Sequence, residues 1–434
     1  MRLATSRRTR QPSPNRRQRV PPALTRGIER VEAISILDEI PGDLGLTLWR
    51  SARNVLLWAE TPAGSRAALF AGDAARTRRD ELAHADVDPE LRAPLSVFTD
   101  LLRDPAGADV LRLVNACRRV AAWAEQRGAM HTVLEFSQAA ALVSPESASL
   151  AFIVGRVARK LAEYDRAESW YTRATVQARE AQDWNAFTSA LAGMGNLHFQ
   201  RGNFPAARRM HQRCLAAATR HGVRELVAAS YHNLFDIEVA TEAGPHTDTL
   251  AARALDNYEP GNENVPRLAY DVAMYWMLRG EFAAALQVAL ALADVIDEPA
   301  VRPIVQGLVG RAAGALGDRE MFVAAAALVD DLLSDPAIPG ETAARTLLGL
   351  AHGALSLGDA QAAAGYADEA MSIARRRGEG RVSIEAEAVL EAAQRETASS
   401  TRISRSAEES AATELARRFV AVLTAPGVLE LAAT

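Results

Sequence analysis

The sequence predicts an all-α protein built from repeated helical hairpins, and three observations carry that prediction. Ala, Leu, Glu and Arg dominate the 434 residues, and almost no segment alternates polar and apolar residues with the period of two that a half-buried strand requires. Short turns recur: Gln126-Arg127-Gly128-Ala129, Leu161-Ala162-Glu163-Tyr164, Gln200-Arg201-Gly202-Asn203-Phe204, Leu278-Arg279-Gly280-Glu281-Phe282, Ala315-Leu316-Gly317-Asp318 and Ser356-Leu357-Gly358-Asp359, with a weaker member at Glu242-Ala243-Gly244-Pro245. Their spacing of roughly 35 to 42 residues is that of helical-hairpin repeats. Between the turns the apolar residues recur at helical spacing, and no stretch reaches the roughly 18 apolar residues that a membrane span needs.

Taken in order, the chain opens on a basic arm. Residues 1–30 hold nine arginines against one acid, Glu29, which leaves them near +8, so the remainder must carry about −13 to give the net charge of −5. Rich in Pro, Ser and Arg and without an apolar run, residues 1–27 are expected to be a disordered basic arm. The Arg7-Arg8 pair is followed by no apolar stretch, which argues against an export signal. One of the 49 basic residues is a lysine, Lys160, and the rest are arginine, the bias of a GC-rich, bacterial coding sequence.

Residues 28–109 predict a helical N-terminal cap or a small helical domain. Leu48, Ala52, Val55, Leu56 and Ala59 form one apolar stripe between Leu44 and Glu60, with Trp49 and Trp58 adding bulk. Thr61-Pro62 and Asp88-Pro89 each pair a capping side chain with a proline suited to the first helical position.

Residues 110–380 hold the periodic array. In its second unit Ala151, Val154, Gly155 and Ala158 precede the turn and Ala167, Tyr171 and Ala174 follow it; the third has Leu191, Met194, Gly195 and His198, then Ala207, His211 and Cys214; the fifth has Ala269, Val272, Ala273 and Trp276, then Ala285, Ala289 and Leu292. The first unit ends in Pro145. This order of large apolar, small and aromatic residues resembles the tetratricopeptide repeat, with units of about 40 residues, longer than usual, similar to the arrays of maltose-activator-type bacterial regulators. The resemblance implies a right-handed α-α superhelical solenoid of about seven hairpins with helical caps at both ends. Two departures stand out: Thr247 in the fourth unit and Phe322 in the sixth replace the expected Ala, the latter implying a shifted turn or wider packing. Residues 381–434 read as a partial repeat, a polar run from Thr397 to Ser406, and a capping helix carrying Leu415, Phe419 and Val422 on one face.

The sequence lacks the familiar signatures of chemistry. Lys160 is followed by Leu161 and cannot serve a phosphate loop. Gly193 and Gly195 lie within a helix, as close-packing positions and not as a dinucleotide loop. No two of the eight histidines stand four residues apart, as zinc-sharing histidines on one helix would; His198 and His211 occupy the repeat's aromatic positions. Cys117 and Cys214 are too few for a disulfide framework and read as reduced core thiols. No cofactor, no metal and no enzymatic activity are expected, in a cytoplasmic protein whose oligomeric state the sequence leaves open.

What remains is a surface. In tetratricopeptide proteins the first helix of each unit lines a concave groove, and the resemblance then implies Arg118, Phe152, Arg156, Arg159, Asn196, Phe199, His232, Asp236, Tyr270, Met274 and Arg311 as groove residues, with Arg345 and His352 further along. Arginine beside aromatic side chains is the mixture enriched at binding hot spots. The expected function is a non-catalytic scaffold for a protein or peptide segment, or alternatively a regulatory sensor that binds a small effector or signalling peptide and acts through a partner. Asn196 matches one position of the carboxylate clamp of chaperone-binding members, whose lysines this chain lacks. Nucleic acid is left at most a weak contact through the basic arm.

Overall fold

The structure, a computed structural model, describes residues 36–84, 86–241, 243–244, 246–396 and 411–425. The basic arm (1–27) and the polar run (397–406) lie outside them. Among the described residues there is no strand. The chain divides into two compact units at Leu226/Val227.

The first unit contains α1 (Gly42–Glu60), a 3₁₀ turn (Ala63–Ala68), α2 (Ala74–His84) and α3 (Pro89–Arg103), then the hairpins α4 (Val110–Gln126) with α5 (Met130–Val143), α6 (Ala148–Lys160) with α7 (Tyr164–Glu180), and α8 (Trp184–Gln200) with α9 (Phe204–His221). From α3 to α9 each helix packs on the next, and α6 also packs on α8. α1 rests on α3 and α5, so a single apolar core runs from Ile36 to Leu197. Glu39 ties the same junction: its carboxylate accepts from the His131 and Thr132 amides, both at 2.8 Å, at the positive end of α5. Trp58, buried, donates its indole N–H to the Pro105 carbonyl at 2.6 Å and carries the Arg66 guanidinium 3.7 Å above its ring.

Asp88 caps α3 as its sequence predicts, accepting from the Glu90 amide at 3.0 Å with Pro89 at the first helical position. Thr61 does not cap the helix that follows. Its hydroxyl donates back to the Leu57 carbonyl at 2.7 Å, which also takes the Thr61 amide at 3.1 Å, and closes α1, while Pro62 precedes only a 3₁₀ turn.

Six hairpin turns, at Gly128, Ala162, Gly202, Gly280, Gly317 and Gly358, share one geometry. A left-handed residue ends the first helix, and the next residue returns its amide to the first helix's last turn while starting the second. Gly202 has φ +71°, the Asn203 amide donates to the His198 carbonyl at 2.8 Å, and the Asn203 side chain accepts from the Ala206 amide at 3.2 Å. Two adjacent residues thus serve as C-cap and N-cap. Ala162 fills the glycine position of the α6–α7 turn at φ 59°.

The second unit takes in α10 (Arg224–Thr241) from Val227 onward, then α11 (Thr247–Asn257), α12 (Asn264–Arg279), α13 (Phe282–Val295), α14 (Arg302–Leu316), α15 (Arg319–Leu333), α16 (Gly340–Ser356), α17 (Ala360–Arg377), α18 (Gly380–Glu396) and α19 (Ala411–Leu423). From α11 to α18 each helix packs on the next, and α12, α14, α16 and α18 contact one another in series. The Phe322 position brings no shifted turn: Gly317 has φ +80° and the Asp318 amide reaches the Ala313 carbonyl at 2.9 Å, as in the other hairpins. Room for the Phe322 ring comes from glycines instead. A Cβ on Gly353 would stand 2.8 Å from that ring and 2.5 Å from the Gly310 carbonyl oxygen, so α14 and α16 meet backbone to backbone beside it. Thr247 is buried, its hydroxyl 3.0 Å from the Gly244 amide and 3.2 Å from the Glu238 carboxylate.

α19 packs against α11, α12 and α13. The sequence places this helix as the closing cap after α18; the structure places its apolar face at the beginning of the unit. Phe419 is buried with its ring edge-on to Trp276, centroids 6.5 Å apart, and Arg418 pairs with Asp256.

Candidate functional site

The first helix of each hairpin carries its small residues inward, and the sequence-predicted site residues other than the buried His232 lie at or near the surface. In the first unit, Gly155 and Gly193 flank the Tyr171 ring, where added Cβ atoms would stand 2.7 and 2.5 Å from it, and Gly195 lies on His211 in the same way. These glycines and the buried Cys214, which donates to the Thr188 carbonyl at 3.3 Å, are packing elements. Cys117 is likewise buried, and burial pushes its thiol far up, away from the reactive thiolate.

Around them, Arg118 and Arg156 are exposed, and Phe152, Arg159, Asn196 and Phe199 are half-buried. Phe152 packs on Tyr171 with ring centroids 5.9 Å apart. Burial pushes the Tyr171 phenol up, and Arg159, hydrogen-bonded to it, pulls it back. Phe199 is engaged edge-on by Phe204 across the turn at 5.5 Å, so part of its apolar surface is already covered.

In the second unit, Tyr270, Met274 and Arg311 are half-buried on α12 and α14. Burial raises the Tyr270 phenol, Asp271 adds to the rise, and Arg345, Arg311 and Arg381 oppose it. Those charges, from α12, α14, α16 and α18, therefore share one electrostatic neighbourhood. Burial lowers the Arg311 guanidinium, with Glu385 and Tyr270 opposing. His352 is held down to about 4 by burial and by Arg311, so it is neutral at pH 7. Arg345 is exposed and pairs with Glu341 at 2.7 Å.

His232 and Asp236 belong to a different arrangement. His232 is buried at 5% exposure. Its Nδ1 stands 3.3 Å from the Tyr258 hydroxyl and its Nε2 3.0 Å from Asp271 Oδ2, with Asp236 Oδ1 3.9 Å away on the next turn of α10. Burial drives the Asp236 carboxyl up to about 6; His232 and Arg267 work against that rise and Asp271 adds to it. Sequence reasoning found His232 and Asp236 and missed Asp271 and Tyr258. A signal existed, since Asp271 follows His232 by 39 residues, close to one repeat length, and so occupies the neighbouring first helix at nearly the same height.

Arginines and carboxylates are mixed along these first helices: Arg267 stands 3.8 Å from Asp271, Arg345 2.7 Å from Glu341 and Arg381 2.9 Å from Glu385. Asp236 and Asp271 lie on α10 and α12; Arg311, Arg345 and Arg381 lie on α14, α16 and α18, with Tyr270 within electrostatic reach of both groups. Such a face offers charged groups of both signs beside a half-buried aromatic side chain, a mixture suited to a polar segment with an apolar anchor.

No protein-family model matches this chain, and no curated protein matches it. Among solved structures, BtubC (BKLC) from P. vanneervenii is similar with a TM-score of 0.41 and 17% identity, over 52% of this chain and 91% of that one. The TPR2AB domain of yeast Sti1, in a complex with pHSP90, is similar with a TM-score of 0.24 and 14% identity, over 65% of this chain and 98% of that one. At these scores neither likeness bears on function.

Proposed function

We propose that this protein is a non-catalytic scaffold that holds a protein or peptide segment along the first-helix face of its tetratricopeptide-like hairpins. The observation that supports this reading best is half-buried Tyr270 set in the field of Asp271, Arg311, Arg345 and Arg381, charges that come from four successive first helices of the second unit. Arginine recognises carboxylates through paired N–H donors, and an anchored aromatic adds apolar area at low entropic cost. In the first unit, Arg118, Arg156 and Phe152 offer a second stretch of the same mixed character.

The test is affinity capture from the native host with wild type and with the double variant Arg156→Glu, Tyr270→Ala, each shown by circular dichroism to be folded. Loss of the captured partners is the expected outcome. Recovery of the same set at the same yield means that the first-helix face is not where partners bind.

A further inference from the structure

α10 sets His232 and Asp236 one turn apart, and α12 brings Asp271 against them. One donor atom from each of the three side chains lies within 4.8 Å of the other two. In a tetrahedral site with metal–ligand bonds of about 2.0–2.1 Å, neighbouring donors stand about 3.4 Å apart. The observed separations of 3.0 and 3.9 Å from Nε2 to the two carboxylates bracket that value. We propose that His232, Asp236 and Asp271 form a binding site for a divalent transition-metal ion of the zinc class.

The surroundings fit such an ion. Metal-bound imidazoles are held in orientation by a partner on the ring's other nitrogen, and here Nδ1 stands 3.3 Å from the Tyr258 hydroxyl. That contact aims Nε2 at the two carboxylates. Positive charge nearby is sparse: Asp271 has Arg267 at 3.8 Å, which is 70% exposed, and the ion-pair neighbour of Asp236 is His232 at 3.9 Å. Two carboxylates so placed beside one imidazole nitrogen gain from a cation that sits between them. The Asp236 and Asp271 side chains are 24% and 31% exposed, so an ion can enter from solvent. A nitrogen ligand on a buried imidazole favours zinc-like ions over Mg²⁺ or Ca²⁺, which take oxygen ligands. Three protein ligands leave one tetrahedral position for water or for a donor from a bound molecule. The set uses one histidine and two aspartates in place of a histidine pair on one helix.

The competing reading is a metal-free hydrogen-bonded cluster of the imidazole and the two carboxyl groups. The full chain, stripped of metal with chelator, is titrated at pH 7 with Co²⁺ while visible absorption is followed, then with Zn²⁺ in competition and with Mg²⁺ separately by calorimetry. The expected result is one saturable equivalent of Co²⁺ with ligand-field bands, displacement by Zn²⁺, and no comparable binding of Mg²⁺. Asp236→Asn and Asp271→Asn, at the solvent-accessible edge, are expected to weaken Co²⁺ binding by at least tenfold. Tyr258→Phe removes only the orienting hydroxyl and is expected to cost about 10- to 100-fold, the usual effect of losing such a partner. His246→Gln, at an exposed histidine of the same unit, is expected to leave binding unchanged. Absence of stoichiometric Co²⁺ uptake, uptake unaltered by both aspartate substitutions, or preference for Mg²⁺ overturns the proposal. His232→Gln is a further variant, and the aspartate pair decides the matter if it does not fold.

Discussion

Gly195 lies directly on the ring of His211: a Cβ built on the glycine would stand 2.4 Å from Nε2 and 2.6 Å from Cε1. Gly195→Ala therefore forces α8 and α9 apart. In an open helix the same substitution stabilises by about 0.5–1 kcal/mol; here the overpacking, about 1–3 kcal/mol, outweighs it. Gly365 in α17, whose added Cβ meets nothing within 4 Å, supplies the opposite sign. Denaturant unfolding is expected to show Gly195→Ala less stable than wild type and Gly365→Ala more stable. Equal effects at the two sites would remove the packing argument.

His211 itself is 0% exposed, and neither ring nitrogen has a hydrogen-bond partner among the described residues. Burial holds its pKa down to about 4, against 6.5 for the free side chain. The unfolded chain thus binds the proton first as pH falls. The contribution to stability is complete above pH 6.5 and is lost progressively down to pH 4. His211→Leu, apolar and of similar volume, is expected to flatten the stability profile across that window. At pH 7 it should also gain about 1–3 kcal/mol by removing unsatisfied polar atoms. Melting temperatures of both proteins at half-unit pH intervals check this; parallel curves would show that His211 is not the group responsible.

Ala162 and Gln182 hold left-handed backbone at φ 59° and 56°, where a Cβ costs about 1–2 kcal/mol. Ala162→Gly is expected to stabilise by about 0.5–1 kcal/mol after the glycine's extra chain entropy is subtracted. Gly202→Ala, at the matching turn with φ +71°, is expected to lose about 1 kcal/mol. Chemical denaturation of both variants measures the pair, and the prediction fails if the two shift the midpoint in the same direction.

Phe419 is buried against Trp276 with α19 seated on α11–α13. Phe419→Ala is expected to destabilise the second unit by about 3–5 kcal/mol. Because the ring lies beside an indole, the tryptophan emission of the folded variant should shift and its quenching by acrylamide should rise. Unchanged emission and stability would mean that α19 does not sit there in solution.

The turns were legible because two adjacent residues encode both helix ends: a glycine for the left-handed position and Asp or Asn for the next cap, as at Gly202-Asn203, Gly317-Asp318 and Gly358-Asp359. Even Ala162 could be placed by register. The glycine packing of Gly155, Gly193 and Gly195 was readable from the same periodicity. The seat of α19 was not. Leu415 and Phe419 announce an apolar face that must be covered, and nothing in an amphipathic pattern says by what. The His232–Asp271 pairing was hidden differently, since each residue looks like an ordinary solvated side chain until two hairpins are laid side by side. Thr61 shows a local limit: its hydroxyl had two helix ends within reach, and composition does not rank them.

The seat of α19 sets an order on synthesis. Arg418 and Asp256, which it joins, are 162 positions apart, and closing so long a loop is slow compared with stacking neighbouring hairpins. On the ribosome, α11–α13 emerge early and keep an apolar side uncovered while α14–α18 are still being made. Through that interval the nascent chain presents a ready surface to chaperones, or to another copy of itself, until translation delivers the helix that closes it.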